Sequence, residues 1–136
     1  MKVENAVVPR GEQLQALLAL GGDQPIVMLN LLKFRDRAEY DEPGHPEMSG
    51  REAYMLYGAA MKPLVESKGG RMWFNARVDA LVIGEVDELW DVAAIMEYPS
   101  REAFVAIATS PEVLEIGKHR KAGLAGQLLI QCTSLG

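Results

Sequence analysis

Apolar and polar residues alternate over residues 71–84. Met72, Phe74, Ala76, Val78, Ala80 and Val82 fall on one side; Arg71, Trp73, Asn75, Arg77 and Asp79 fall on the other. Period two predicts a long strand with one apolar face and one polar face. Residues 25–34 are patterned differently. Ile26-Val27-Met28-Leu29-Asn30-Leu31-Leu32 is almost unbroken apolar chain, which predicts a strand buried on both sides, with Asn30 its one polar interruption. Residues 89–98 predict a further strand. It stops at Tyr98-Pro99, because proline brings no N–H to a ladder. Residues 127–133 predict the last one.

Between the strands the spacing turns helical. Leu14, Leu17 and Leu18 mark a short helix over 10–20 that Gly21-Gly22 ends. Ser49-Gly50-Arg51-Glu52 reads as a capping box, and Ala53, Tyr57, Ala60, Met61 and Leu64 then repeat on one face until Gly69-Gly70. Pro63 lies inside this stretch and is expected to kink it, since its ring crowds the carbonyl of Ala59. Ser100 caps a third helix and Ser110-Pro111 opens a fourth, with Gly123 at its end. Residues 35–48 carry charges, two prolines and a glycine. They predict a loop of the length typical of lids and interaction arms. Without its first helix the order is β-α-β-β-α-β, the ferredoxin-like arrangement of a four-stranded antiparallel sheet with helices on one face.

That arrangement leaves the second sheet face to be explained. Alternation assigns Trp73, Asn75, Arg77, Asp79, Asp91, Ala93, Ile95 and Glu97 to it, with Leu81, Ile83 and Leu129 adding apolar area. The mixture is too oily for plain solvent surface and too polar for a dry core. A homodimer closing two such faces into one barrel, with polar residues lining a cavity, satisfies both demands; a monomer with a solvated sheet is the alternative.

The motifs Pro25 to Phe34, Tyr54-x-x-Tyr57, Gly69-Gly70-Arg71, Glu88 to Ser100, Ser110-Pro-Glu and Arg120-x-x-Gly123 resemble the domain-of-unknown-function 1330 (DUF1330) family of the dimeric α+β barrel superfamily. The resemblance spans residues 25–133. The helix before residue 25 is extra, and the 35–48 loop is longer than the usual pattern. The resemblance implies the fold and the dimer. It implies no reaction, since relatives in that superfamily include cofactor-free monooxygenases, an isomerase and haem proteins.

Composition narrows the partners. The 136 residues suit one domain, 1–136, with 1–24 as a helical extension. Nineteen acidic residues against fourteen basic ones argue against nucleic acid or an anionic membrane as the main partner. A lone cysteine, Cys132, forms no internal disulfide. Met1-Lys2-Val3-Glu4-Asn5 lacks the zones of a signal peptide, so a cytoplasmic location is the expectation.

Eight residues are candidates for chemistry. Asp91 and His119 are the proton movers. Arg77 and Arg120 are anion clamps. Asn30 would orient a carbonyl, Trp73 would supply a wall, and the Tyr54 and Tyr57 hydroxyls would reach a ligand. Each has an ordinary structural explanation as well: an Asp91–Arg77 ion pair across the hairpin, helix-dipole pairing for His119 and Arg120, packing for the tyrosines. His45 and His119 lack ligand spacing, so no metal is expected; no nucleotide or serine-hydrolase motif is present, and no cofactor is expected. Three readings stand: a cofactor-free monooxygenase or isomerase acting on a small, partly apolar anion; a non-catalytic ligand-binding or sensory dimer; and a dimer with a filled interior.

Overall fold

The computed structural model describes residues 3–135; Met1 and Lys2, which open the stretch weighed as a leader, and Gly136 lie outside them. Eight elements follow in order: α1 (Gly11–Ala19), β1 (Ile26–Phe34), α2 (Gly50–Ser67), β2 (Arg71–Arg77), β3 (Val92–Tyr98), α3 (Arg101–Ala108), α4 (Pro111–Gly123) and β4 (Leu124–Cys132). The strands form one antiparallel sheet in the order β2-β3-β1-β4, with the last strand of the chain beside the first. This is the ferredoxin-like topology that the order of elements predicts.

The caps form as the sequence reads. Ser49 Oγ accepts from Glu52 N–H at 3.0 Å and Glu52 Oε1 accepts from Ser49 N–H at 3.1 Å. Ser100 and Ser110 accept from Ala103 and Val113 N–H groups, which starts α3 and α4 separately. Helix α2 runs through Pro63 to Ser67.

The core lies between the sheet and the helices. Ile26 and Met28 of β1 and Tyr98 of β3 pack with Val65 of α2, Ile107 of α3 and Val113 of α4. α2 and α4 approach most closely at Gly50 and Gly123. A side chain at either position would strike the backbone of the other, which is why both are glycine.

Two expectations are corrected. β2 ends at Arg77, not residue 84, and residues 78–91 form an arm whose base is closed by Val78 N–H donating to Asp91 C=O at 2.9 Å. The arm turns at Gly84, where φ is +100°. The alternation also breaks inside β2. Met72 pairs with Met96, but Phe74 pairs with Ile95, Asn75 with Ala94 and Arg77 with Val92. Trp73 is the extra residue of a β-bulge, which reverses the facing of everything after it. Phe74 and Ala76 therefore share the open face with Ile95 and Ala93, whereas Asn75 and Arg77 turn to the helix side. Leu129 pairs with Asn30 and joins that side too. The open face is consequently far more apolar than the sequence suggested. Val27, Leu29 and Leu31 of β1 and Leu128 and Ile130 of β4 complete it by register.

Candidate functional site

The chain's polar interior sits beneath the helices. Asn30 interrupts β1 on the helix-facing side, in line with Met28 and Leu32. Its amide Nδ2 donates to Met28 C=O at 3.3 Å, and its Oδ1 accepts from Gln127 Nε2 of β4 at 3.1 Å. The Gln127 carbonyl accepts in turn from Arg120 Nη1 of α4 at 2.8 Å. The Arg120 guanidinium stands 5.8 Å from the centre of the Tyr57 ring, and Tyr57 lies 5.5 Å from Tyr54, which packs against Phe34 at 5.6 Å. A chain of polar contacts thus runs from the central strand through the edge strand to two helices.

The electrostatics of this cluster are one-sided. Burial pushes the hydroxyls of Tyr54, Tyr57 and Tyr98 above the ordinary phenol range, and Arg120 only partly offsets this for the first two. All three are neutral donors at physiological pH. Among the described residues none takes a hydrogen bond from the Tyr54 or Tyr57 hydroxyl, and Arg120 has no carboxylate partner. A cation, two phenols and an amide pair are thus neighbours along one chain of contacts, with Phe34 packed on Tyr54. Such a set can hold an anion with a flat apolar body.

Four of the eight sequence candidates, Asn30, Tyr54, Tyr57 and Arg120, are therefore brought together. Gln127 links them and was not singled out. No local signal marks it: Gln127 pairs in register with Leu32 and reaches Asn30 diagonally, which only the β1–β4 register reveals.

The other four candidates lie elsewhere. Asp91 is not joined to Arg77. Its Oδ2 accepts from Phe34 N–H at 2.8 Å and its Oδ1 stands 3.6 Å from Lys33 Nζ. Arg77, turned by the bulge, forms an exposed pair with Asp79 at 2.8 Å instead. Asp91 lines an open cleft of about 880 Å³ with Lys33, Arg35, Arg51 and Glu39, where Arg35–Glu39 and Lys33–Asp91 compensate each other. Trp73 lies outside the polar cluster, under the Arg71 guanidinium at 5.7 Å.

His119 faces the 35–48 loop. Its Nδ1 is 2.6 Å from the Tyr40 hydroxyl, while His45 stacks on the Tyr40 ring at 3.9 Å. Desolvation, with Lys118 and His45 beside it, lowers the His119 pKa below the usual histidine value, so the ring is neutral at pH 7 and suited to accept from Tyr40. Lys121 Nζ on Asp41 at 2.8 Å and Glu39 N–H on Ala122 C=O at 3.0 Å complete a latch that ties the loop to α4. Among the described residues, no three His, Cys, Asp or Glu side chains converge as a metal site, and no helix is long and apolar enough to cross a membrane.

Comparison with known proteins places the chain. RPA0582, a protein of unknown function from Rhodopseudomonas palustris, is 35% identical over 98% of this chain and 99% of its own, with a TM-score of 0.89. The structure of methylated RPA0582 gives 36% identity, 97% and 96% coverage and the same TM-score. An uncharacterised NIPSNAP-like domain protein from Burkholderia xenovorans shares the fold at 15% identity, with coverages of 84% and 88% and a TM-score of 0.50. No curated protein matches the chain. The RPA0582 match extends over α1 and the 35–48 loop, so these are not peculiar to this chain. The model of the family described as "Domain of unknown function (DUF1330)" matches residues 44–131, and the chain belongs to that family.

Proposed function

We propose that this protein is a homodimer that binds a small anion with a flat, partly apolar body between the helices and the sheet of each subunit. One observation carries the reading: the Arg120 guanidinium, held by the Gln127 side chain, stands 5.8 Å from the centre of the Tyr57 ring and pairs with no carboxylate among the described residues. Arg120 would pair with the anionic group, Tyr54 and Tyr57 would donate to its oxygens, and the Asn30–Gln127 amide pair would fix Arg120 in place. The dimer would form across the open face, where Leu29, Leu31, Phe74 and Ile95 present apolar surface that no helix covers.

The binding reading has more support than the enzymatic one. A monooxygenase or isomerase needs a proton mover beside the ligand. Of the two proposed, His119 is turned to Tyr40 in the loop latch, and Asp91 is bound to the Phe34 amide.

Calorimetric titration with benzoate, a plain aromatic carboxylate, tests this. Binding to the native protein that is lost in Arg120→Gln and weakened in Tyr57→Phe supports the site. Equal affinity for benzoate and for the neutral benzamide, or unchanged binding in Arg120→Gln, removes it.

A further inference from the structure

The arm between β2 and β3 carries the most exposed adjacent apolar pair among the described residues. Val82 and Ile83 are each 89% exposed, and Leu81 and Val86 beside them are nearly half exposed. A monomer gains nothing from a β-branched pair held out in water, and such a segment is an aggregation hazard. Its sequence also keeps the strand-like alternation of β2 as far as Val82, although β2 stops pairing at Arg77. The pattern is that of a chain made to lie against something, and nothing within the subunit lies there.

The arm is continuous with the open face. Its base is closed by the Val78–Asp91 hydrogen bond directly beyond the last β2–β3 pair, Arg77 with Val92. Trp73 and Phe74, both brought to the open side at the bulge, are half exposed. With the arm tip and Ile130 they are the exposed large apolar side chains of this side of the sheet. A stable interface takes roughly 800 Å² from each partner, and the sheet face alone, four short strands wide, reaches that more easily with the arm added. A two-fold axis uses the same surface on both copies, so one arm implies two and the contact closes on itself.

We infer that residues 81–83 dock on a second copy of this chain, clasping it at the margin of the facing sheets. The inference rests on the dimer reading above and adds to it which segment holds the partner. Acidic residues Glu85, Asp87 and Glu88 follow the tip and keep the remainder of the arm in water.

Sedimentation of the native protein, of a Val82→Ser/Ile83→Ser double variant and of Ile95→Lys tests it. Hydrogen exchange at the amides of 81–83 is read in parallel. The exposed tip contributes nothing to the monomer's core, so the double variant keeps its circular dichroism. Its dimer weakens by about tenfold or more, and in the native protein the tip amides are protected at high concentration and released on dilution. A native dimer matched in affinity by the double variant, with fast-exchanging tip amides, overturns the arm and leaves the sheet-face dimer standing. A native protein that stays monomeric, indistinguishable from Ile95→Lys at every concentration, overturns both.

Discussion

The two faces of the sheet place polar groups where water is scarce and apolar groups where it is plentiful. Beneath the helices lie Asn30, Gln127 and Arg120, hydrogen-bonded to one another. On the other side lie Phe74, half exposed, and the partly buried Leu29, Leu31 and Ile95, outside the core that the helices cover. A buried polar group survives only if paired, at a cost of about 1–3 kcal/mol otherwise. An exposed apolar patch survives only if it is covered or used. The first condition is met within the subunit. The second calls for another molecule, and this is the physical content of the proposed dimer.

The comparison breaks most visibly in the core. Leu32 on the helix side is 1% exposed, so Leu32→Ala should cost about 2–5 kcal/mol. Denaturant melts should show that loss at every protein concentration. Ile95→Ala on the open face should cost a lone subunit much less, and its penalty should grow with concentration as native dimer is lost. Equal, concentration-independent penalties at both positions would mean that the open face is covered within the monomer.

Next in size is the amide pair. Asn30→Leu leaves Gln127 Nε2 without its acceptor and loosens Arg120, which should cost about 1–3 kcal/mol. The double variant Asn30→Leu/Gln127→Leu should recover part of this stability, since neither amide is then orphaned, but not benzoate binding. Recovery of both would make the pair mere packing. The phenols offer a milder probe. All four tyrosines have pKa values raised by burial, so the native protein should show less tyrosinate absorbance at pH 10 than the unfolded chain, which is about half ionised there. Because the folded state keeps those protons, stability should fall as the pH rises above 10.

The strand and helix order was readable because Ser49, Ser100, Ser110-Pro111 and the Gly-Gly pairs punctuate the chain with local chemistry. Facing within β2 was not. A bulge inserts one residue without any composition mark, and Trp73 looks like every other odd position until the register with β3 is known. That single residue moved Asn75 and Arg77 off the open face and dissolved the expected Asp91–Arg77 pair. The end of β2 was hidden for the opposite reason: the alternation continues into the arm, beyond the last β2–β3 pair. Asn30 was legible as the polar interruption of an apolar strand, Tyr54 and Tyr57 as neighbours at helical spacing, and Arg120 through the family resemblance. Gln127 was not, because it lies opposite Leu32 and reaches Asn30 only diagonally, through the β1–β4 register.

The smallest expected effect concerns neither face, and so tests whether the rest of the molecule is separable from them. The latch of Tyr40, His45 and His119 holds the 35–48 loop to α4, outside both the polar cluster and the open face. The lowered His119 pKa means that the unfolded chain takes up a proton first as the pH falls. Stability is therefore complete above the ordinary histidine value, about 6.5, and declines as the pH drops from there toward the folded value. Below both values the loss levels off. The melting temperature of the native protein should fall more between pH 7.5 and 5 than that of His119→Gln, in which this proton uptake is absent. The groups around the ring set the size of the effect: Lys118 and His45 deepen it, while Glu115 opposes it. Sedimentation and benzoate affinity should differ little between native protein and His119→Gln at pH 7.5. If His119→Gln alters either, the loop latch is coupled to the pocket through the neighbouring Arg120, and the division of labour between faces and loop fails.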